Sequence, residues 1–229
     1  MMASVQGQGR KGAGWKSTDG DQASPILRQR GKVLQRAGTL RKLPLGLSEE
    51  AKADSVARLN QVLVDTIVLR DMYKKHHWQT SGATFYQLHL LFDKHYEEQA
   101  ELVDALAERI QLLGGVSLGM PHDVAELSKI ERPPRDVEEP AVQLSRLLEA
   151  HEYILRQSRE AARRASELGD EGTNDLLVSE VVRVNEMQVW FVSEHLVDVP
   201  LVTADQETAA TSVASADVEP KRGEAPTSV

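Results

Sequence analysis

The chain contains no cysteine in 229 residues. A disulfide framework, a thiolate nucleophile and a thiolate-held metal are excluded together. Any bound metal must be held by histidine and carboxylate, donors suited to iron, manganese or zinc. Aromatic side chains make up only 4% of the composition, and no stretch alternates apolar with polar residues over a useful length, so the apolar pattern is helical throughout. No run approaches the ~18 apolar residues that a membrane-spanning helix needs. The opening MMASVQGQGRKGAGWKS has no apolar core resembling a signal peptide. The expectation is a soluble, cytoplasmic, all-α protein.

Charge is unevenly placed. The formal net charge is −8, yet the first 48 residues carry Arg10, Lys11, Lys16, Arg28, Arg30, Lys32, Arg36, Arg41 and Lys42 against only Asp19 and Asp21. The stretch from Thr203 onward is mildly acidic, which leaves about −12 on the middle. Residues 1–46 mix Gly, Gln, Ser and basic side chains, and read as a largely disordered arm. Residues 47–202 are rich in Leu, Val, Ala, Glu and Arg and form the single folded domain, and 203–229 read as a disordered tail.

Within the domain, Ser48 caps a helix whose first turn carries Glu49 and Glu50, and Val56, Leu59, Leu63, Ile67 and Met72 follow at helical spacing. The pattern predicts helices over about 49–78, 84–113, 141–168 and 172–196, with Gly82, Gly114-Gly115 and Gly169 as breaks. Pro121, Pro133, Pro134 and Pro140 punctuate a long connection between the second and third, in which 123–129 can form a short helix. Two antiparallel hairpins joined by one long crossover constitute a ferritin-like four-helix arrangement.

The chemistry-bearing stretch is residues 76–115. It holds His77 near the end of the first helix, then His89 and Asp93 four apart on the second, then Asp104 and Glu108, again four apart. Fifteen residues separate His89 from Asp104, about 22 Å along a helix at ~1.5 Å per residue, whereas metal–ligand bonds are close to ~2 Å. The two pairs in one chain therefore cannot hold one ion. Either they are unrelated half-sites, or a two-fold axis crossing the second helix near its middle sets the histidine half of one subunit against the acidic half of another. An ordinary ferritin site inside one bundle is not expected. It needs Glu-x-x-His on two helices, and His151-Glu152 and Glu194-His195 are merely adjacent pairs.

The residues His77, His89, Asp93, Asp104 and Glu108, with the surrounding HW, F…LH…FD and D…AER…LGG blocks, resemble the Dps family. These are ferritin relatives that protect bacteria under starvation and oxidative stress, and the similarity, which runs from about Leu59 to Val202, is to cyanobacterial-type members in particular. The resemblance implies a ferroxidase. The five residues would be both metal ligands and catalytic groups at dimer interfaces of a hollow dodecamer, with ferrous iron oxidised there, hydrogen peroxide the favoured oxidant, and ferric mineral stored inside. Two other readings stand beside it: mainly a nucleoid-binding structural protein with a secondary or zinc-occupied metal site, or a cage whose donors favour zinc or manganese and oxidise iron slowly.

Other residues have two readings. His122, in the crossover, is either an additional ligand, as the resemblance suggests, or a surface histidine. Asp170, Asp175 and Glu180 either line an acidic pore that draws cations into the cage, as the resemblance implies, or supply negative charge at a helix N-terminus. The basic arm either holds DNA by releasing counterions from phosphates, solubilises the chain, or docks on its own acidic shell. Trp15 could stack on a base. His76 is expected to point away from the metal and His95 toward solvent. Trp78 and Trp190 could intercept stray oxidising equivalents, with packing inside the bundle the favoured reading for both.

Overall fold

The computed structural model of the protein describes residues 22–23 and 31–197. The region Met1–His195 forms one compact unit; of the second, Leu196–Val229, only Leu196 and Val197 are described.

Helix α1 spans Glu49–Gln79 and α2 spans Phe85–Leu112. Ser48 caps α1, its side chain accepting from Ala51 N at 3.0 Å, and Gly82 turns the chain at φ +89°. A short helix α3, Pro121–Leu127, lies in the crossover, and α4 covers Pro140–Glu167. Both start on a proline, whose fixed φ suits the first helical position and whose missing N–H costs nothing there. The fourth arm of the bundle comprises α5 (Glu171–Leu176), a π-helical turn (Leu177–Val182) and α6 (Arg183–Glu194). A single regular helix was expected here. Hydrophobic spacing does not register a π turn, because one extra residue shifts the apolar face without interrupting it.

The core is aliphatic, with Leu59, Leu63, Met72 and Tyr73 of α1 meeting Leu88, Phe92, Leu106 and Ile110 of α2 and Leu147 and Ile154 of α4. Helix α1 is buried all round over 62–67, because the crossover covers the face that the bundle does not. Its polar groups are satisfied accordingly. Asp65 accepts from Ser128 Oγ and Lys129 N, each at 2.8 Å, and Asn60 bridges Val116 O and Leu118 N.

Part of the basic arm belongs to this body. Arg41 N donates to Gly114 O at 2.8 Å, Gln35 Nε2 donates to the same carbonyl at 2.8 Å, and Leu40 packs against the core. Gly114, at φ +83°, permits this approach, since a Cβ there would stand 2.5 Å from Arg41 O. Farther out, β1 (Gln22–Ala23) pairs antiparallel with β2 (Gly31–Lys32). Arg10, Lys11, Lys16, Arg28 and Arg30, Trp15 and the tail 203–229 lie outside the described residues. Among the described residues no helix is long and apolar enough to cross a membrane.

Candidate metal centre

The α1–α2 turn folds the end of α1 back onto the start of α2, and two histidines lock the two helices together. His77 Nδ1 lies 2.7 Å from the backbone O of His89, and His89 Nδ1 lies 2.9 Å from the backbone O of His77. Because a carbonyl only accepts, each ring carries its proton on Nδ1 and leaves its Nε2 lone pair for another partner. This reciprocal arrangement fixes the tautomer and orientation that a metal-binding imidazole requires. The rings stack with centroids 3.7 Å apart, and Phe85 stacks on His89 at 5.2 Å.

Asp93 stands one turn along α2 from His89, with Oδ1 3.9 Å from His77 Nδ1. Lys74 of α1 pairs with the same oxygen. The hydrogen bond from that ammonium holds the Asp93 carboxyl below its usual range, and the side chain is 39% exposed. Spacing in the sequence did not single out Lys74, which comes into reach only because the hairpin brings α1 beside α2. Lys74 also lies over the Tyr96 ring at 4.6 Å.

Asp104 and Glu108 are exposed farther along α2. Glu108 borders an open cavity of about 740 Å³, whose other wall is the arm segment Arg41, Leu43, Pro44 and Leu45. Among the described residues, no three histidines or carboxylates of one chain converge closely enough to hold an ion. Each subunit thus carries two separate donor groups, His77 and His89 with Asp93 near the start of α2 and Asp104 with Glu108 farther along it.

Several expectations need correction. His95 does not face solvent. It is 1% exposed, with its ring against Tyr73 and Phe191, since α6 covers that face of α2. Trp78 and Trp190 are not packed inside the bundle but are 71% and 61% exposed. Asp170 is not available to a pore. It is buried, caps α5 through Thr173 N at 3.1 Å, accepts from Ser55 Oγ at 2.7 Å and pairs with Arg109 at 2.5 Å. Asp175 and Glu180 are exposed, Asp175 accepting from Ser179 Oγ. His122 is exposed on the first turn of α3, and His76 is buried against Phe92 with neither ring nitrogen hydrogen-bonded.

The ferritin-like domain model matches residues 56–202. DpsC from Streptomyces coelicolor is 57% identical and superposes with a TM-score of 0.74, over 75% of this chain and 100% of that one. The DNA protection during starvation protein of Halobacterium salinarum is 30% identical over 69% of this chain and 87% of its own length. The chain belongs to the Dps family of ferritin-like proteins. A third family member, the Vibrio cholerae Dps, is described as part of a broad superfamily of ferritin-like diiron-carboxylate proteins. It is 25% identical, with a TM-score of 0.65 over 69% of this chain and 99% of that one. The family's fold is thus the one built here by α1, α2, α4 and the α5–α6 arm.

Proposed function

We propose that this Dps protein is a ferroxidase and iron store whose metal sites form between subunits. His77, His89 and Asp93 of one chain face Asp104 and Glu108 of a second. The observation that carries this reading is the symmetry of α2 about Glu98–Gln99. His89 and Glu108, Asp93 and Asp104, and the exposed apolar Phe85 and Leu112 stand at matching distances on either side of that point. Two such helices crossed antiparallel there would bring each histidine half to a carboxylate half, and would cover both exposed apolar ends. The open cavity beside Glu108 leaves room for the facing half-site. Twelve such chains in a hollow shell, the arrangement that the sequence resemblance implies, would give the oxidised iron a place to accumulate, with exposed Asp175 and Glu180 as pore residues and His122 as an added ligand.

The donor set suits the reaction. Imidazole and carboxylate bind ferrous iron and tolerate ferric iron. Two ferrous ions held side by side can each give one electron to hydrogen peroxide, which becomes two hydroxides and releases no hydroxyl radical. Nothing in the family comparisons favours zinc or manganese at these donors. The direct test is anaerobic loading with ferrous iron followed by peroxide, on wild type and on the His89→Ala/Asp93→Ala variant. Rapid ferric absorbance in wild type alone supports the reading; equal, slow rates in both proteins refute it.

A second role has its own support. The Halobacterium relative is named for DNA protection, and relatives from Nostoc and Synechococcus for DNA binding. The first 48 residues of this chain carry nine basic side chains against two acidic ones. In this reading the arm binds DNA by phosphate contacts, Lys32, Arg36, Arg41 and Lys42 included, and weakens with salt. Removing residues 1–30 takes away five of the nine basic side chains, leaves the docked segment in place, and should weaken the retardation of duplex DNA and flatten its salt dependence. Undiminished retardation would rule the arm out.

A further inference from the structure

The bundle interior holds a polar chain that the metal half-sites do not use. Tyr73 of α1 is fully buried, and its hydroxyl lies 2.5 Å from His151 Nε2 of α4. His151 Nδ1 lies 2.8 Å from Asn185 Oδ1 of α6, and Asn185 Nδ2 donates to Val181 O in the π turn at 2.7 Å. The last bond identifies the amide nitrogen, so Asn185 presents its oxygen to His151, and His151 must carry its proton on Nδ1. Nε2 is therefore a lone pair aimed at the phenol. Gln99 Nε2 donates to Gln188 Oε1 at 2.9 Å, and Gln188 in turn donates to Glu98.

We propose that Tyr73 and His151 form a redox pair. Tyr73 gives an electron to hydroxyl radical generated at the adjoining histidine half-site, while its phenolic proton passes to His151 Nε2. This rests on the ferroxidase reading, because the oxidant arises when peroxide takes one electron from a site holding a single ferrous ion. The hydroxyl radical becomes hydroxide, and Tyr73 becomes a neutral phenoxyl radical beside a protonated His151. A later ferrous ion at the half-site gives its electron to the radical and becomes ferric, and the proton returns from His151 to the phenol oxygen.

Position and surroundings single Tyr73 out. It precedes His77 by four residues, one helical turn or about 6 Å of rise, and its ring touches that of Phe92, the neighbour of Asp93, at 6.0 Å. Burial, followed by the charge of Glu98, pushes the Tyr73 phenol well above its ordinary pKa, so the electron cannot leave from a phenolate and the proton must have somewhere to go. Burial likewise holds His151 down to about 3, which keeps Nε2 unprotonated until the electron leaves. Of the four tyrosines, Tyr96 and Tyr153 each lie under a cation, Lys74 at 4.6 Å and Arg156 at 5.6 Å, which opposes loss of an electron. Tyr86 is exposed. Among the described residues only Tyr73 has its hydroxyl on a base.

The test is freeze-quench electron paramagnetic resonance on the full assembled protein, unlabelled and with ring-deuterated tyrosine. In one arm it holds substoichiometric ferrous iron and meets peroxide; in the other, metal-free protein meets azide radicals made by pulse radiolysis. The expected result in both arms is a tyrosyl signal with a hydrogen-bonded proton at the phenoxyl oxygen in electron–nuclear double resonance. It should be lost in Tyr73→Phe, kept in the triple Tyr86→Phe/Tyr96→Phe/Tyr153→Phe variant, and formed roughly a hundredfold more slowly in His151→Gln. A radical on tryptophan, or a tyrosyl radical without that proton, overturns the proposal from wild type alone, whatever the variants do. If iron is not oxidised at all the ferroxidase reading fails, and the azide arm still decides whether Tyr73 and His151 act as a pair.

Discussion

In the proposed site, Lys74 and a ferrous ion would compete for the same oxygen of Asp93. The ammonium keeps the carboxylate charged and oriented toward His77, but it must withdraw for Asp93 to bind metal. Replacing Lys74 with Met should tighten anaerobic ferrous binding, read by titration calorimetry, by roughly two- to fivefold, the worth of an exposed ion pair. Unchanged or weaker binding would mean that Lys74 orients Asp93 rather than competing for it. His151 makes a second prediction at this scale. Its folded pKa is about 3, against ~6.5 for an unperturbed histidine, so the unfolded chain takes up the extra proton first as the pH falls. Its stabilising effect is complete above ~6.5 and is lost progressively toward pH 3. The thermal midpoint of wild type should fall through that window. His151→Gln should start lower at pH 7.5, by the ~1–3 kcal/mol of a broken buried hydrogen bond, and decline less steeply. Parallel curves would show that other groups govern the acid limb.

At the scale of elements, Gly114 joins the second helix to the arm. A Cβ there meets Arg41 O, and the positive φ costs an L-residue about 1–2 kcal/mol. Gly114→Ala should therefore lower the thermal midpoint and expose residues 33–46 to limited proteolysis, with α2 intact. Resistance equal to wild type would show that the arm is held elsewhere. The four helices and their breaks are legible in the sequence through Ser48 as a cap, apolar residues at helical spacing, and Gly82, Gly114 and Gly169, which the structure holds at positive φ; Pro121 and Pro140 read only as punctuation of the crossover, whereas they open α3 and α4. What was not legible depends on packing between elements. His95 was assigned outward because α2 alone does not reveal that α6 covers it. Asp170 read as pore-lining because nothing local reveals Arg109 and Ser55 closing over it. The π turn left no mark in the periodicity. Lys74 and the Tyr73–His151 contact likewise exist only once helices distant in sequence lie side by side.

For the whole molecule, the central claim is that the metal site belongs to no single chain. Helix rise alone keeps the two pairs from sharing one ion within a chain, and in the structure they stand apart along α2, with an open cavity beside Glu108. The most direct test is complementation between two inactive proteins. In one, His77 and His89 are replaced by Ala; in the other, Asp104 and Glu108 are. Neither should oxidise ferrous iron rapidly with peroxide when assembled alone. Co-assembled from equal amounts of dissociated subunits, they should regain about a quarter of wild-type sites, since half the pairings are mixed and each mixed pair rebuilds one site of two. Absence of recovery in a correctly assembled mixture, or full activity in either variant alone, would contradict a site shared between subunits.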